Sequence, residues 1–178
     1  MITIRPASIS DALAISSLID DVKHFFTVKQ NGEGAEDFLK SISPEAIASY
    51  IVDERYNYFV AIVDQDLAGV VAVRDNAHLF HLFVASRFQR RRIAAQMWRF
   101  ARANAMEYGS LGEFTVNSTL HAVKVYESFG FRVTGERVEK HGIAYVPMQL
   151  EQRRYESQRM SLRMPDFSER HDTTCPPM

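Results

Sequence analysis

A cluster of arginines is the feature of this sequence best suited to bind a charged ligand. Between Asn76 and Met106 the chain has no Asp or Glu but six arginines, and four of them crowd one short segment: Arg87, Arg90, Arg91 and Arg92. The segment lies where a predicted strand meets a predicted helix, and a helix N-terminus already attracts anions through its unpaired N–H groups. The pattern fits a phosphate or pyrophosphate site, and it fits equally a solvated basic face.

The hydrophobic spacing predicts alternating strands and helices that would position this segment. The predicted strands cover 2–4, 58–63, 69–73, 78–84, 113–116, 131–136 and 144–150. Four helices are predicted. The first follows the Ser8–Asp11 capping signature, the second begins at Pro44 after Ser43, and the other two cover 91–106 and 119–129. Residues 27–40 are predicted to form a loop with room for a short helix. The resulting order β-α-α-β-β-β-α-β-α-β-β predicts an α/β (α+β) fold, with a mixed sheet and helices on both faces.

Apolar residues at helical spacing identify the faces on which two of these helices should pack. The first helix carries its apolar stripe at Ile15, Leu18, Ile19 and Val22. The long helix after the arginine cluster carries one at Ile93, Met97, Ala101 and Ala105. Both stripes are expected to lie against the sheet.

Composition and charge argue against several classes of protein. The chain has 178 residues, of which 46% are hydrophobic and 24% charged, as expected for one globular domain. Its formal net charge of −1 argues against a general nucleic-acid binder, which needs an excess of cations. The single cysteine, Cys175, excludes an internal disulfide and a cysteine-based zinc site, and we predict no metal site.

The two ends of the chain indicate the expected cellular compartment of the protein and the limits of its folded domain. The first residues lack the basic and then apolar pattern of a signal peptide, and no apolar run reaches the roughly 18 residues that span a bilayer. We therefore expect a cytoplasmic protein with no membrane partner. Residues 1–150 are predicted to form the folded domain, because the apolar pattern fades after them. Residues 151–178 are predicted to form a tail that is partly helical or disordered.

The segment LFVASRFQRRRIAA at 82–95 resembles the strand-to-helix signature of the GNAT superfamily of N-acetyltransferases. That signature reads Q/R-x-x-G-x-G/A: Gln89 fills its first position and Ala94 its last, while Arg92 stands at the usual glycine. We expect the Arg92 side chain to point away from the phosphates and to add a positive charge, because glycine is needed only at a positive φ or a very close approach.

In this family the loop amides bind the pyrophosphate of acetyl-CoA, so the resemblance implies acetyl-CoA as the cosubstrate. It also implies a set of cofactor-binding residues: Leu82, Phe83, Val84, Gln89, Arg90, Arg91, Arg92, Ile93, Ala94, Ala95 and Asn117.

Three later segments resemble the same family in order and at normal spacing. FTVNS at 114–118 resembles the next strand with its terminal Asn117, and AVKVYESFGF at 122–131 resembles the A-x-x-x-Y-E-x-x-G-F segment that contains Tyr126. GIAYVPM at 142–148 resembles the closing strand. The match covers residues 1–150, and it implies a GNAT-like, mostly antiparallel sheet.

The resemblance implies that an acetyl group moves from acetyl-CoA to a primary amine by direct attack in a ternary complex. Tyr126 is the candidate acid for the leaving thiolate, although its helical spacing also fits a core aromatic residue. His78 and His81 are the candidate bases, with a water chain as the alternative. Because they lie three residues apart on a strand, we expect them to face opposite sides, so that at most one faces the cleft. Asn117 is either a cofactor contact or an ordinary turn residue.

The sequence is also compatible with other functions. A non-catalytic acyl-CoA-binding or regulatory module would explain Arg92 in place of glycine and the lack of an obvious carboxylate base. A protein that faces RNA or another anion through its arginines is disfavoured by the net charge. The acceptor amine, small molecule or peptide, is not identified by the sequence. The resemblance implies that His24–Phe26 and the loop to residue 40 line the acceptor side, where their aromatic character suits an apolar amine; it suits a place in the core equally well. The last strands and the tail are candidate contacts for a homodimer.

Overall fold

The computed structural model describes residues 1–29 and 32–151 of the chain. Within them, the strands are β1 (Ile2–Pro6), β2 (Tyr56–Val63), β3 (Asp66–Arg74), β4 (His78–Val84), β5 (Phe114–Ser118), β6 (Arg132–Val133), β7 (Val138–Lys140) and β8 (Ile143–Leu150). The helices are α1 (Ala12–Val22), α2 (Glu36–Ser41), α3 (Pro44–Val52), α4 (Ile93–Glu107) and α5 (Val123–Ser128). Short 3-10 turns cover Ile9–Asp11, Lys23–Phe25, Ser86–Phe88 and Leu120–Ala122.

The strands form one mixed and mostly antiparallel sheet, as predicted. Their order is β1-β2-β3-β4-β5-β8-β6, and β7 pairs with the first half of β8. Strands β1 to β4 are an antiparallel meander, and β5 runs antiparallel to β8. Between these two halves, β4 and β5 form a parallel pair through two residue pairs, His78 with Thr115 and Leu79 with Val116. The sheet is therefore joined at its centre over a very short length.

Each face of the sheet packs against helices through a separate hydrophobic core, which confirms the predicted helices on both faces. On one face, the α4 residues Met97 and Trp98 lie in a cluster with Phe114 of β5. On the other face, Ile15 of α1 and Ile47 of α3 lie in a cluster with strands β2 and β3. Every residue of the two predicted helix stripes is buried.

The predicted helix starts are also confirmed, and their capping contacts explain them. The Ser8 amide donates to Asp11 Oδ2 at 2.8 Å, and Arg5 donates to both carboxylate oxygens of Asp11 at 2.8 Å. The Arg5 hydrogen bonds hold the pKa of Asp11 well below its usual range. Ahead of α3, the Ser43 hydroxyl accepts from the Ala46 amide at 3.2 Å.

The single strand predicted over 131–136 is wrong. The chain leaves the sheet after Val133 and pairs again with β8 only from Val138, as β6 and β7. The Thr134 amide donates to the carbonyl of Pro147 on β8 at 3.0 Å, but proline has no N–H to donate in return. This missing donor interrupts the ladder and separates the two short strands.

Two further sequence predictions concern the chain's last residues and membrane insertion. The predicted tail lies outside the described residues, apart from Glu151. In the part of the chain that the structure describes, no helix is both long and apolar enough to cross a bilayer.

Candidate active site

The divergence of β4 and β5 opens a cleft of about 710 Å³. After their two residue pairs the strands separate, and side chains from α1, α2, α4, α5 and β8 line the space between and beside them. The cleft brings together every predicted site residue except Arg91: His78, His81, Leu82, Phe83, Val84, Gln89, Arg90, Arg92, Ile93, Ala94, Ala95, Asn117 and Tyr126. Arg91 does not line the cleft; its guanidinium lies 5.4 Å from the ring centroid of Phe88.

One end of the cleft is formed by the arginine-rich segment and the N-terminus of α4. Arg90 and Arg92 both have left-handed backbones, with φ of 63° and 60°. Arg92 is the residue immediately before α4. Turns that contain left-handed residues direct backbone N–H groups into a concave anion site, and the first N–H groups of α4 have no partners within the helix. This end of the cleft is therefore suited to a phosphate group.

The backbone of Arg92 is left-handed, so the expectation of a position with no preference for glycine is wrong. The expectation that its side chain points away assumed a position at which glycine has no conformational advantage. The observed backbone is one that glycine adopts without strain and that costs other residues about 1–2 kcal/mol. The chain thus has a backbone that favours glycine at this position, and it adds an exposed guanidinium there.

The edge of β4 supplies backbone groups to the cleft. The Ala85 amide donates to the carbonyl of Ala68 on β3 at 3.0 Å. Because N–H directions alternate along a strand, the amides of Leu82 and Val84 point away from β3 and toward the opening. The Gln89 side-chain amide donates to the Val84 carbonyl at 3.2 Å, which attaches the arginine-rich segment to the end of the strand.

His78 and His81 lie on the same face of the sheet, so the expectation of opposite faces is wrong. Ala72 pairs with His81 and Val73 pairs with Leu79, which leaves Phe80 as the extra residue of a β-bulge. The extra residue shifts the alternation, and Phe80 and His81 consequently stack with their ring centroids 4.2 Å apart. Both histidines line the cleft.

The surroundings of the two histidines differ. His81 is buried, its Nδ1 lies 2.8 Å from the Tyr58 hydroxyl, and burial lowers its pKa to about 3. His78 lies at the separation point, where its Nδ1 is 2.8 Å from Thr115 Oγ1. Partial burial and the nearby charge of Arg74 lower the pKa of His78 below 6.5. Both rings are therefore neutral at pH 7, and His81 is by far the weaker base.

Tyr126 and Asn117 occupy the opposite wall. Tyr126 is buried beside Phe129 and Phe131, with ring centroids 6.1 and 5.7 Å away, and burial raises the pKa of its phenol. Its hydroxyl has no hydrogen-bond partner among the residues that the structure describes. The ring is thus part of the core, as its spacing suggested, and also part of the cleft lining. Asn117 is exposed on β5.

The structure adds cleft contacts that the sequence did not indicate. Phe25 stacks on His121 across the cleft, with ring centroids 4.6 Å apart. Tyr58 and Thr115 support the two histidines, and Tyr145 of β8 lines the same cavity. These pairs join residues far apart in the chain, so sequence spacing gives no signal of them.

Comparison with known proteins identifies the family. The model of the acetyltransferase (GNAT) domain matches residues 26–152. The chain therefore belongs to the GNAT acetyltransferases, a family that binds acyl-CoA and transfers acyl groups. No curated protein sequence matches the chain significantly.

Solved structures agree on the fold. The PaiA N-acetyltransferase of Thermoplasma acidophilum, in complex with coenzyme A, has a TM-score of 0.69 at 18% identity, covering 85% of this chain and 99% of that one. The ribosomal-protein-S18-alanine N-acetyltransferase of Escherichia coli has a TM-score of 0.63 at 17% identity, covering 84% and 93%. A GNAT-family acetyltransferase of Streptococcus pneumoniae has a TM-score of 0.63 at 18% identity, covering 84% and 98%. Identities this low establish the shared fold alone.

The left-handed backbone of Arg92 generates a stability prediction. Arg92→Gly should have a free energy of unfolding about 1 kcal/mol higher than Arg92→Ala, because both variants lose the charge and only glycine relieves the positive φ. Urea denaturation of the two variants measures the difference. Equal stabilities would show that residue 92 is not strained in the folded protein.

The buried neutral His81 generates a pH prediction. Unfolded His81 binds a proton below pH 6.5, whereas folded His81 stays neutral to about pH 3, so the native state loses stability as pH falls. Between pH 6.5 and about pH 5 the wild type should lose about 1.5 kcal/mol more than His81→Gln, whose side-chain amide can hydrogen-bond the Tyr58 hydroxyl without titrating. Denaturation at both pH values tests this, and parallel losses in the two proteins would contradict it.

Proposed function

We propose that this protein is an acetyl-CoA-dependent N-acetyltransferase that acetylates a primary amine by direct attack in a ternary complex. The observation that carries the proposal is the cleft itself. A site for a phosphate group, free strand-edge amides, a neutral histidine and a buried tyrosine hydroxyl all open into one cavity. These are the groups that acyl transfer from a thioester to an amine requires.

The residues of the cleft fit an acyl-CoA in a defined direction. The turn at Arg90–Arg92 and the first amides of α4 would bind the pyrophosphate, and their positive charge favours it. The exposed edge of β4 would hydrogen-bond the extended amide-containing arm, with Leu82 and Val84 as donors. Bound in this direction, acetyl-CoA supplies a thioester carbonyl near the centre of the cleft, where β4 and β5 separate.

The chain's residues then carry out three tasks. A base removes a proton from the amine, whose nitrogen lone pair forms the new N–C bond. A backbone N–H of the β4 edge stabilises the negative charge that develops on the carbonyl oxygen. As the C–S bond breaks, an acid gives a proton to sulfur, so that an alkylammonium and a thioester yield an amide, a thiol and one released proton.

His78 is the proposed base. It is neutral at pH 7, lies at the separation point of the strands, and has its Nδ1 oriented by Thr115. His81 was the second candidate, but a pKa of about 3 makes it a poor proton acceptor. His81 instead supports the wall of the cleft through Tyr58 and Phe80. Proton removal by a water chain is the competing possibility.

Tyr126 is the proposed acid. Burial raises the pKa of its hydroxyl, so the group stays protonated and remains able to donate at neutral pH. It lies on α5, across the cleft from β4, where the sulfur of an acyl-CoA bound along that strand would lie. Asn117 lies on the same side and is proposed as a contact to the cosubstrate.

The main test compares the wild type with Tyr126→Phe. The wild type should convert acetyl-CoA and a primary amine to equal amounts of free thiol and amide, measured by thiol titration and mass spectrometry. Tyr126→Phe should lower kcat by about 100-fold, a typical contribution of general acid catalysis, and leave the Kd for acetyl-CoA within about twofold.

Calorimetric titration with acetyl-CoA gives the control, because phenylalanine keeps the ring in the core. Tight acetyl-CoA binding without transfer to any amine would favour the non-catalytic acyl-CoA-binding module instead. Unchanged kcat in Tyr126→Phe would remove this hydroxyl from the mechanism.

A second prediction concerns His78 and pH. Below its lowered pKa, His78 is protonated and cannot act as a base. In a plot of log kcat/KM against pH, the fall toward low pH should therefore become steeper by one unit of slope. His78→Gln should lower kcat/KM by about 100-fold at pH 7 and abolish this extra slope. His81→Gln serves as the matched control and should keep it. If His78→Gln keeps the wild-type profile, proton removal belongs to water.

A further inference from the structure

The end of the cleft away from Arg90 and Arg92 is lined by a continuous series of aromatic rings. We call it the aromatic wall; its members are Phe26, Phe38, Phe80, His81 and Phe83. Neighbouring ring centroids are 4.8 Å apart for Phe26 and Phe38, and 5.6 Å for Phe26 and Phe83. The series continues through His81, at 5.3 Å from Phe83 and 4.2 Å from Phe80.

The wall packs against the core on the α1 side of the sheet and also lines the cleft. Phe38, Phe80 and Phe83 are only partly buried, and all of them line the cavity. Phe80 and His81 face the cleft together because of the β-bulge in β4. The wall therefore presents apolar surface to whatever occupies this end of the cleft.

Backbone contacts join the segment after α1, which carries Phe26 of the wall, to the start of β8. The Val28 amide donates to the Gly142 carbonyl at 2.8 Å, and the Ala144 amide donates to the Phe26 carbonyl at 3.1 Å. At Gly142 a Cβ would lie 2.3 Å from the Gly34 carbonyl carbon, so the two segments are in direct contact. These contacts fix the position of Phe26 in the wall.

Positive charge borders both ends of the cleft. Arg90 and Arg92 line the phosphate end, and the Arg74 guanidinium lies 5.6 Å from the ring centroid of Phe80 in the aromatic wall. A second ammonium group on an acceptor would face aromatic rings here and positive charge beyond them. A carboxylate would lose its hydration against the same rings, and the Nε of Arg74 already lies 3.6 Å from the Oδ2 of Asp75, which reduces its attraction for a second carboxylate.

We propose that the acceptor is a primary amine carried on an uncharged aromatic or aliphatic body, which packs on the aromatic wall while its nitrogen points toward His78. The inference rests on the proposed N-acetyltransferase function and narrows it to one substrate class. Polyamines, amino acids with a free carboxylate and other acceptors with a second charge are excluded by the same surface.

Matched amines test the proposal on the wild-type protein. Phenethylamine should exceed ethylamine in kcat/KM by at least about 30-fold, because burial of a phenyl group favours binding by roughly that factor. Pentylamine should exceed cadaverine, which differs by a second ammonium, by at least about 10-fold. Phenethylamine should exceed phenylalanine, which differs by a carboxylate, by a similar factor.

A pair of variants at Phe38 tests the role of the wall. Phe38→Asn and Phe38→Asp remove the same ring from the short helix α2 and differ only in charge. The ratio of cadaverine to pentylamine kcat/KM should be at least about 10-fold higher in Phe38→Asp than in Phe38→Asn, because the carboxylate attracts the second ammonium. Circular dichroism and the Kd for acetyl-CoA confirm that both variants are folded.

The outcomes separate this inference from the function on which it rests. If all four amines and phenylalanine are acetylated with kcat/KM values within about threefold of one another, the inference is overturned and the N-acetyltransferase function stands. If acetyl-CoA binds but no amine is acetylated, the function fails and the inference with it. If cadaverine or phenylalanine is the best acceptor of the panel, the aromatic wall does not select the substrate.

Discussion

The separation of β4 and β5 is the constraint on which the rest of the site depends. Because β4 and β5 pair through only two residue pairs, the later backbone groups of each strand that face the gap between them have no ladder partner there. At the β4 edge one of these groups, the Val84 carbonyl, is satisfied by the side chain of Gln89. The amides of Leu82 and Val84 remain directed into the cleft, and this is why the centre of the sheet can bind an extended polar ligand.

The bulge in β4 determines what lies beside that opening. With regular alternation, His78 and His81 would lie on opposite faces, and only one of them would reach the cleft. The extra residue at Phe80 brings both to one face, where their different burial gives them different chemistry. Partial burial and the charge of Arg74 lower the pKa of His78, whereas the deeper burial of His81 makes it a neutral member of the aromatic wall. The same bulge thus supplies a proton acceptor and an apolar surface for the acceptor substrate.

The arginine-rich segment combines local strain with charge. Two left-handed positions, Arg90 and Arg92, lie on either side of Arg91; they are unfavourable for residues that have a Cβ, yet they shape the turn that begins α4. The contacts that hold this turn come from elsewhere in the fold, including the Gln89 hydrogen bond and the packing of Phe88 in the core. A bound anion would further offset the positive charge. An arginine at position 92 therefore adds both backbone strain and positive charge to the turn.

The sequence by itself determined the elements whose signals are local. The capping residues Ser8 and Ser43 and the apolar stripes of α1 and α4 predicted those helices correctly, and ordered motifs predicted the family and a set of residues that line the cleft. Tertiary structure alone decided the bulge at Phe80, the break opposite Pro147, the left-handed turn at Arg92 and the aromatic wall. Each of these depends on which strand or ring lies opposite, and such pairings join residues far apart in the chain. Periodicity records how a residue relates to its neighbours in sequence, whereas these features are set by neighbours in space.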